Sequence, residues 1–188
     1  MIPEDELKAI QPKTPSCAPS RSHVLSGVPI PKAMRVRLFS PDEWEEFTEE
    51  WASSLKSDYT KVRRFGGAGD LGVDIAGFCS DHGFIGQWDN YQCKRYDRPL
   101  RPSDVWVELG KIIYYSHLGK YAPPRRHYFV CSQDIGTSLE KLLNKPIELK
   151  AKLVENWDRH CLNTITLTAS IALNGALMAH FDSFDFSV

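Results

Sequence analysis

Hydrophobic and polar positions follow no period at the start of the chain. Further along they follow two periods, one typical of strands and one typical of helices. Residues 1–33 hold six prolines among serine and lysine, and without an apolar repeat they bury too little surface to offset the entropy of ordering. We expect a flexible arm there. Over 34–38, apolar residues alternate with arginines, which is the two-residue period of a short, half-buried strand.

A helical period comes next. Ser40, Pro41 and Glu43 are the residue types of an N-terminal capping box with proline in the first turn, and they predict a helix over 41–55. The large apolar residues of this segment share one stripe at helical spacing: Trp44, Phe47, Trp51 and Leu55. We expect that stripe to lie in the core and the glutamates of the helix to face outward or sideways.

Strand patterns then return around two turns. The sequence predicts strands over 60–65, 72–79 and 84–95, separated by a glycine-rich turn and by a turn over 80–83. Gly86 is a candidate bulge in the third strand. Because side chains alternate along a strand, four residues of the third strand are expected on one face: Trp88, Asn90, Gln92 and Lys94.

The remaining pattern is mostly helical. We predict a helix over 103–115 capped by Ser103, followed by a strand over 127–131. Helical patterns resume near residue 138, and the last of them starts at Pro146 with apolar positions at Leu149, Leu153 and Trp157. This order of elements is compatible with an α/β domain.

Composition limits the class of protein. A chain of 188 residues with 42% hydrophobic and 25% charged residues suits one globular domain with extensions. Its five cysteines are odd in number and have no disulfide-framework or zinc-finger spacing, which favours a reducing cytoplasm. No signal peptide opens the sequence, and the most apolar stretch, 165–179, is short for a bilayer. We expect a cytoplasmic protein without a membrane segment.

The formal net charge of −1 does not indicate a nucleic-acid-binding protein, so such a role depends on local clusters of basic residues. One cluster precedes the glycine-rich turn, and another lies at and after the end of the third predicted strand. Charge runs are most often solvated faces, and contact with phosphate is the alternative. The residues that would hold backbone phosphates are Lys61, Arg63, Arg64, Arg95 and Arg98.

An aspartate stands where a buried strand is predicted. Asp74 lies between Val73 and Ile75, and an unpaired carboxylate there would be costly, so it needs a cation or a hydrogen-bond network. Further along, Gln92 and Lys94 share one face of the third predicted strand. Pairing of these strands would bring an amide oxygen and an ammonium group to the carboxylate.

These groups fit metal-assisted hydrolysis of a phosphodiester. The reaction needs a cation to neutralise charge on the phosphate and a positioned water. Asp74, the amide oxygen of Gln92 and the backbone carbonyl of Cys93 are oxygen ligands of the kind that Mg²⁺ accepts while it keeps several waters. Lys94 would orient and acidify one water, and Mn²⁺ is the expected substitute metal.

The segment over 65–95 resembles the active-site hairpin of Mrr-like restriction endonucleases in the PD-(D/E)xK superfamily. Both halves of the family pattern are present: Gly69-Asp70-Leu71-Gly72-Val73-Asp74 after a glycine-rich stretch, then Gln92-Cys93-Lys94. The resemblance extends to the aromatic and acidic residues of the first helix and covers residues 40–131. It implies a restriction-endonuclease-like core over 34–162, with a mixed central β-sheet flanked by α-helices.

The resemblance also implies roles for single residues. Asp74 would bind the metal, Lys94 would be the catalytic lysine, and Gln92 would take the place of an acid found in the wider superfamily. Glu45 would be the helix acid that completes the site, with Glu49 as the alternative. A neutral ligand at Gln92 agrees with the Mrr-like variant and lowers the charge of the site, and with it the affinity for magnesium.

The function implied by the resemblance is magnesium-dependent cleavage of DNA. The region after Gln92 also resembles N-terminal nuclease modules of bacterial anti-phage effectors, so residues 163–188 are expected to lead toward a sensor domain or partner subunit. Cleavage of both strands by subunits with one site each implies a homo-oligomer. The alternatives are a catalytically silent module of the same fold that binds nucleic acid or scaffolds a defence complex, and RNA as the substrate.

A few residues near the motif allow both a functional and a structural interpretation. Asp70 belongs to the site or only caps the turn. Glu108 and Lys111 are candidates for lining the site, whereas Cys93 has no identifiable histidine partner and is not proposed as a nucleophile. Four aromatic residues stack on bases or, as is commoner, lie in the core: Trp88, Tyr91, Tyr96 and Trp106.

Overall fold

A computed structural model describes residues 31–55, 57–67 and 69–186, so most of the predicted N-terminal arm lies outside the described residues. Two single 3₁₀ turns, Gly83–Ile85 and Pro102–Asp104, connect longer elements. These elements, numbered here in chain order, are α1 (Lys32–Val36), α2 (Pro41–Ser54), β1 (Lys61–Arg64), β2 (Ile75–Phe78), β3 (Trp88–Lys94), α3 (Trp106–His117), β4 (Arg126–Cys131), α4 (Thr137–Leu143), α5 (Pro146–His160) and α6 (Gly175–Ser183).

One four-stranded sheet with the order β1-β2-β3-β4 organises the fold. The first three strands pair antiparallel, with Ile75 opposite Tyr91, and β4 pairs parallel with β3. A parallel neighbour cannot be reached by a tight turn, and here α3 lies in the connection between β3 and β4. The predicted α/β class, with a mixed sheet flanked by helices, is confirmed.

Helices cover both faces of this sheet. On one face, Ala52 of α2 packs with Ile75 and Tyr91. On the other, Trp88 of β3 packs in one cluster with Ile112 of α3. The alternation predicted along β3 is therefore confirmed, because its even-numbered residues turn toward α3 and its odd-numbered ones toward α2.

The N-terminus of α2 forms as predicted, but its buried stripe differs. Ser40 accepts a hydrogen bond from the Glu43 backbone N–H, and the Glu43 carboxylate accepts one from the Ser40 N–H. Phe47 and Trp51, by contrast, are 37% and 46% exposed, so the prediction that they lie in the core is wrong. The buried residues are instead Trp44, Thr48, Glu49 and Ala52.

The face of α2 that is buried is explained by electrostatics. Arg64, at the end of β1, is only 2% exposed and needs carboxylate partners in that position. The helix turns its glutamates toward this guanidinium, which moves the large apolar side chains sideways. The glutamates were expected to face outward or sideways, and Glu49 is instead buried.

Three local predictions are corrected by the structure. Residues 34–38 belong to a one-turn helix and its exit rather than a strand, and Met34 and Leu38 stay exposed because no sheet lies beneath them. Ser103 lies within a 3₁₀ turn, and α3 starts only at Trp106. Gly86 precedes β3 and ends the other 3₁₀ turn, so it is not a bulge within the strand.

The segment after α5 packs against the rest of the domain. Five of its apolar residues belong to the largest core cluster: Ile165, Ile171, Leu177, Phe181 and Phe186. Residues of α3 and α5 belong to the same cluster. The predicted C-terminal extension over 163–188 thus packs against the preceding domain through these five residues, and the proposed link to a further domain stays a prediction. None of the helices in the described ranges is long and apolar enough to cross a membrane.

Candidate active site

A tight loop delivers the motif aspartate to the sheet. Asp70 accepts a hydrogen bond from the Gly72 N–H at 2.9 Å, and the Val73 N–H donates to the Asp70 carbonyl at 3.0 Å. Leu71 and Gly72 both have positive φ, at 54° and 81°. The hydroxyl of Tyr121 donates to the Leu71 carbonyl at 2.8 Å and holds the turn from outside the motif. Asp70 thus caps the turn, which is the structural role considered for it.

Gly72 is required at its position for two reasons. Its φ lies in the left-handed region, which L side chains rarely adopt. A Cβ atom there would also lie 2.8 Å from the Cβ of Lys111, so the loop touches α3. The Gly72 carbonyl accepts a hydrogen bond from Asn90 of β3 at 3.0 Å, which fixes the loop between helix and sheet.

Asp74 and Gln92 meet, as predicted, but the group that contacts the carboxylate is the amide nitrogen of Gln92 and not its oxygen. The register that pairs Ile75 with Tyr91 brings the preceding Asp74 beside Gln92 on the neighbouring strand. Oδ2 of Asp74 accepts two hydrogen bonds of 2.7 Å, from Nε2 of Gln92 and from the Cys93 N–H. Asp74 is 9% exposed and Gln92 is 4% exposed. The pair therefore lies at the buried edge of the β2–β3 hairpin.

The environment of Asp74 disfavours its ionised form. Burial raises the pKa of this carboxyl to about 7, and the negative charges of Glu45 and Asp70 contribute to the rise. The Cys93 N–H and the positive charge of Lys94 oppose it. A bound cation would remove this penalty, since it stabilises the carboxylate form directly.

Lys94 lies within a chain of alternating charges. Its ammonium donates to Glu108 of α3 at 2.6 Å, and the other oxygen of Glu108 lies 3.1 Å from the Lys111 ammonium. Burial alone would raise the pKa of Glu108, but the two lysines hold it below its ordinary value. Glu108 and Lys111 therefore belong to the surroundings of the site, and Glu108 fixes the position of the Lys94 ammonium.

The acids of α2 surround Arg64. Its guanidinium lies 3.7 Å from Glu45, 3.3 Å from Glu46 and 3.7 Å from Glu49. Burial raises the pKa values of Glu45 and Glu49, and the charge of Arg64 partly offsets the rise. The negative charge of Glu45 also contributes to the raised pKa of Asp74.

Two predicted phosphate contacts have other partners in the structure. Arg64 is buried among the glutamates just described. Arg95 donates to the backbone carbonyls of Phe39 and Arg37 and so ties the chain before α2 to the end of β3. Both guanidinium groups are used inside the protein, which corrects the expectation that they face a phosphate.

The other basic residues lie nearer to the surface. Arg98 forms two hydrogen bonds with Asp104, at 2.6 Å and 2.8 Å, and its side chain is 39% exposed. Lys61 is exposed and Arg63 is half-buried, both on the edge strand β1. Contact of these three residues with phosphate stays a prediction.

The aromatic residues near the motif mostly lie in the core. Trp88, Tyr91 and Trp106 are 0%, 2% and 3% exposed, which agrees with the structural alternative, and Tyr96 is half-buried. Burial also raises the pKa of the Cys93 thiol, so this group stays protonated at neutral pH and does not act as a thiolate nucleophile.

A buried charge network on the opposite face of the sheet was missed by sequence reasoning. Asp89 is fully buried and accepts two hydrogen bonds from Arg125, at 2.9 Å and 2.6 Å, and one from the Tyr59 hydroxyl at 2.7 Å. The sequence gives one signal for it: Asp89 is an acidic residue within a predicted strand, on the face opposite to the one that carries Gln92 and Lys94. The network pairs a charge that would otherwise be costly in the core.

Asp74 and Gln92 each have an oxygen atom that could contribute to a site for an oxygen-binding cation. Oε1 of Gln92 is buried and has no hydrogen-bond partner, and Oδ1 of Asp74 receives neither of the bonds donated to this carboxylate. Across residues 31–55, 57–67 and 69–186, no three His, Cys, Asp or Glu side chains form a group that could hold a metal ion. A cation here would thus depend on the Gln92 amide oxygen and on waters, which suits Mg²⁺ better than zinc.

The backbone geometry of the loop gives the first test. Gly72→Ala should lower the free energy of unfolding by about 1 to 2 kcal/mol for the left-handed backbone, and by a further ~1 to 3 kcal/mol for the contact with Lys111. Gly119→Ala is the matched control, since its φ is 66° and nothing lies within 4 Å of its added Cβ. Urea unfolding measures both. Equal losses would contradict the close approach of loop and helix.

The raised pKa of Asp74 gives a second test. Its value of about 7 exceeds the ordinary 3.8, so the folded state holds this proton more tightly and the associated stability is lost as pH rises between those values. Asp74→Asn keeps an acceptor for both hydrogen bonds and removes the titration. In chelator at pH 8, the melting temperature of the variant should exceed that of the wild type. The expected rise is about 2 to 4 °C for each kcal/mol by which the substitution increases the free energy of unfolding.

The control for this test is Asp158→Asn, which removes an exposed carboxyl on α5. Between pH 4 and 8, the melting temperature should change with pH in the same way for this variant and for the wild type. If the melting temperature of Asp74→Asn showed the same pH dependence as that of the wild type, the raised pKa of Asp74 would be wrong.

Comparisons with known proteins provide no relative on which to base the function. The chain matches no protein-family model, no curated protein and no solved structure.

Proposed function

We propose that this chain is a metal-dependent endonuclease of the Mrr-like PD-(D/E)xK type, with a restriction-endonuclease-like core. One observation carries the proposal: Asp74 and Gln92 are hydrogen-bonded across the β2–β3 hairpin at 2.7 Å. Lys94 follows on the same face of β3. The proposal is supported by this contact and by the position of Lys94 two residues after Gln92 on β3, with its ammonium on Glu108.

The cation would be held by oxygen atoms of the hairpin. Asp74 and Oε1 of Gln92 are the side-chain ligands, and the backbone carbonyl of Cys93 is the third candidate. Mg²⁺ is the expected ion and Mn²⁺ its substitute, since both accept such a set while keeping waters. When bound, the ion neutralises charge on the phosphate oxygens and favours the deprotonation of a nearby water.

Lys94 supplies the positive charge that faces the reacting phosphate. Its contact of 2.6 Å with Glu108 restricts the flexible side chain to one arrangement before substrate arrives. The ammonium can then donate a hydrogen bond to a phosphate oxygen or orient the attacking water. Glu108 and Lys111 act through this positioning, and Glu45 adds negative charge beside Asp74.

DNA is the proposed substrate, and Lys61, Arg63 and Arg98 are the proposed phosphate contacts. Arg64 and Arg95 are left out of this set because each is engaged inside the protein. Hydrolysis assisted by a metal does not require a 2′-hydroxyl, so RNA is the competing substrate. Cytoplasmic action against foreign DNA, as a homo-oligomer and with a further sensor domain or partner, belongs to the same proposal.

A catalytically silent module of this fold is the second candidate. The observation in its favour is that Nε2 of Gln92 donates to Asp74 while Glu108 pairs with Lys94, so both charged groups of the motif already have partners. Such a module would bind nucleic acid or scaffold a complex without cutting. Stoichiometric binding of duplex without cleavage under any divalent metal would favour it.

Incubation with supercoiled plasmid tests the proposal. Wild-type protein should nick or linearise the plasmid in Mg²⁺ or Mn²⁺ and not in chelator, and Lys94→Ala should lower the rate by about a hundredfold or more. Lys152→Ala, on an exposed part of α5, removes an equal charge and should cut at the wild-type rate. Cleavage by Lys94→Ala at the wild-type rate would overturn the proposed role of this lysine.

A further inference from the structure

A cleft of about 210 Å³ opens beside the loop that carries Asp74. Three parts of the chain line it: Asp70 and Leu71 from the loop, Lys111 and Tyr115 from α3, and Ile165 and Leu167 from the segment after α5. The loop and α3 are in direct contact at Gly72 and Lys111. The cleft is therefore continuous with the structural elements that build the proposed active site, and it uses none of the hairpin residues proposed as ligands.

The lining of this cleft is amphipathic. Leu71, Ile165 and the ring of Tyr115 provide apolar walls, and the Tyr115 hydroxyl donates to the Ile165 carbonyl at 3.4 Å. Leu167 is 95% exposed, so a large apolar side chain lies at the cleft without cover. Asp70 and Lys111 add a hydrogen-bond acceptor and a donor. This combination suits a flat ring with polar edges.

We propose that this cleft binds one nucleobase of the strand whose phosphate lies at Asp74 and Lys94, an inference that rests on the proposed nuclease function. The volume is below that of sites for drug-sized ligands, which suits a single base rather than a base pair. Asp70 and Lys111 contribute one charge of each sign to the lining, so the cleft has no excess positive charge to attract a phosphate. Stacking on Tyr115 and cover by Leu167 would hold the base.

The backbone of the cleft wall is strained where the base would lie. Leu71 has a φ of 54°, which is uncommon for a residue other than glycine. Its carbonyl is held by the buried Tyr121, so the surrounding structure imposes this conformation. Strain of this kind concentrates at functional sites, where it presents a side chain or backbone group in a fixed direction.

The proposal defines a class of substrate. A base stacked inside an intact duplex cannot enter a side cleft, so it must be unpaired or extruded first. The preferred substrates are therefore single strands, frayed ends and locally opened duplexes. This preference follows from the shape of the site and does not depend on which metal is bound.

Binding of short oligonucleotides tests the cleft apart from catalysis. Fluorescence anisotropy in chelator would compare a labelled single strand of mixed sequence with a strand of the same length that carries only abasic sites. The base-containing strand should bind at least about fivefold tighter to the wild type, as stacking of one base predicts. Leu167→Ala should lose about threefold of the affinity for that strand and none for the abasic strand.

The matched control is Ile147→Ala, which truncates another exposed apolar residue, 89% exposed and absent from the cleft lining. It should bind both strands like the wild type. Equal affinity of the wild type for both strands, binding of neither, or the same loss in Leu167→Ala for both would overturn the cleft as a base site.

These results separate the two proposals. Base-dependent binding that is lost in Leu167→Ala, combined with no cleavage of any nucleic acid, would support the cleft and overturn the nuclease. Metal-dependent cleavage that needs Lys94, combined with equal binding of abasic and base-containing strands, would support the nuclease and overturn the cleft.

Discussion

The carboxylate of Asp74 is the group on which the arrangement of the site depends. It is buried, and its position is compensated by two donors of the neighbouring strand, the Gln92 amide and the Cys93 backbone N–H, and by the positive charge of Lys94. Both donors reach it because β2 and β3 pair in one register. A shift by one residue would turn Gln92 to the other face and leave the carboxylate unpaired in a dry place. The hydrogen bonds of the site therefore depend on the register in which β2 and β3 pair.

The remaining charges are arranged around this group in two sets. On the α3 side, Lys94, Glu108 and Lys111 alternate in sign, so the lysine of the motif is held without an unpaired charge in the domain interior. On the α2 side, Arg64 collects the helix glutamates. Each set pairs partly buried charges, and the cost of breaking one pair would exceed the small value of an exposed ion pair. Together they leave Asp74 as the carboxyl with the strongly raised pKa.

How much of this could be predicted from the sequence depended on the range of the interactions. The capping box of α2, the β1–β2–β3 hairpins and the face of β3 that carries Gln92 depend on neighbours in the chain, and they form as expected. The meeting of Asp74 and Gln92 followed from that local pairing.

Other features depended on partners far away in the sequence. The aromatic stripe of α2 was displaced because Arg64 required glutamates beneath the helix. Arg95 was assigned to phosphate because its contacts with Phe39 and Arg37 join segments that no local pattern connects. The pairing of Asp89 with Arg125 was missed for the same reason. The cleft beside Asp70 needed the segment after α5, whose place against α3 could not be read from its own period.

Binding of Mn²⁺, followed by the loss of its free-ion electron paramagnetic resonance signal, tests most directly whether the Asp74 hairpin is a metal site. Wild-type protein should bind about one Mn²⁺ per chain at this hairpin. Gln92→Glu should bind more tightly, because it adds a charge to the ligand set, and Asp74→Asn should lose the site. Identical binding curves for all three proteins would contradict a metal site at Asp74 and Gln92.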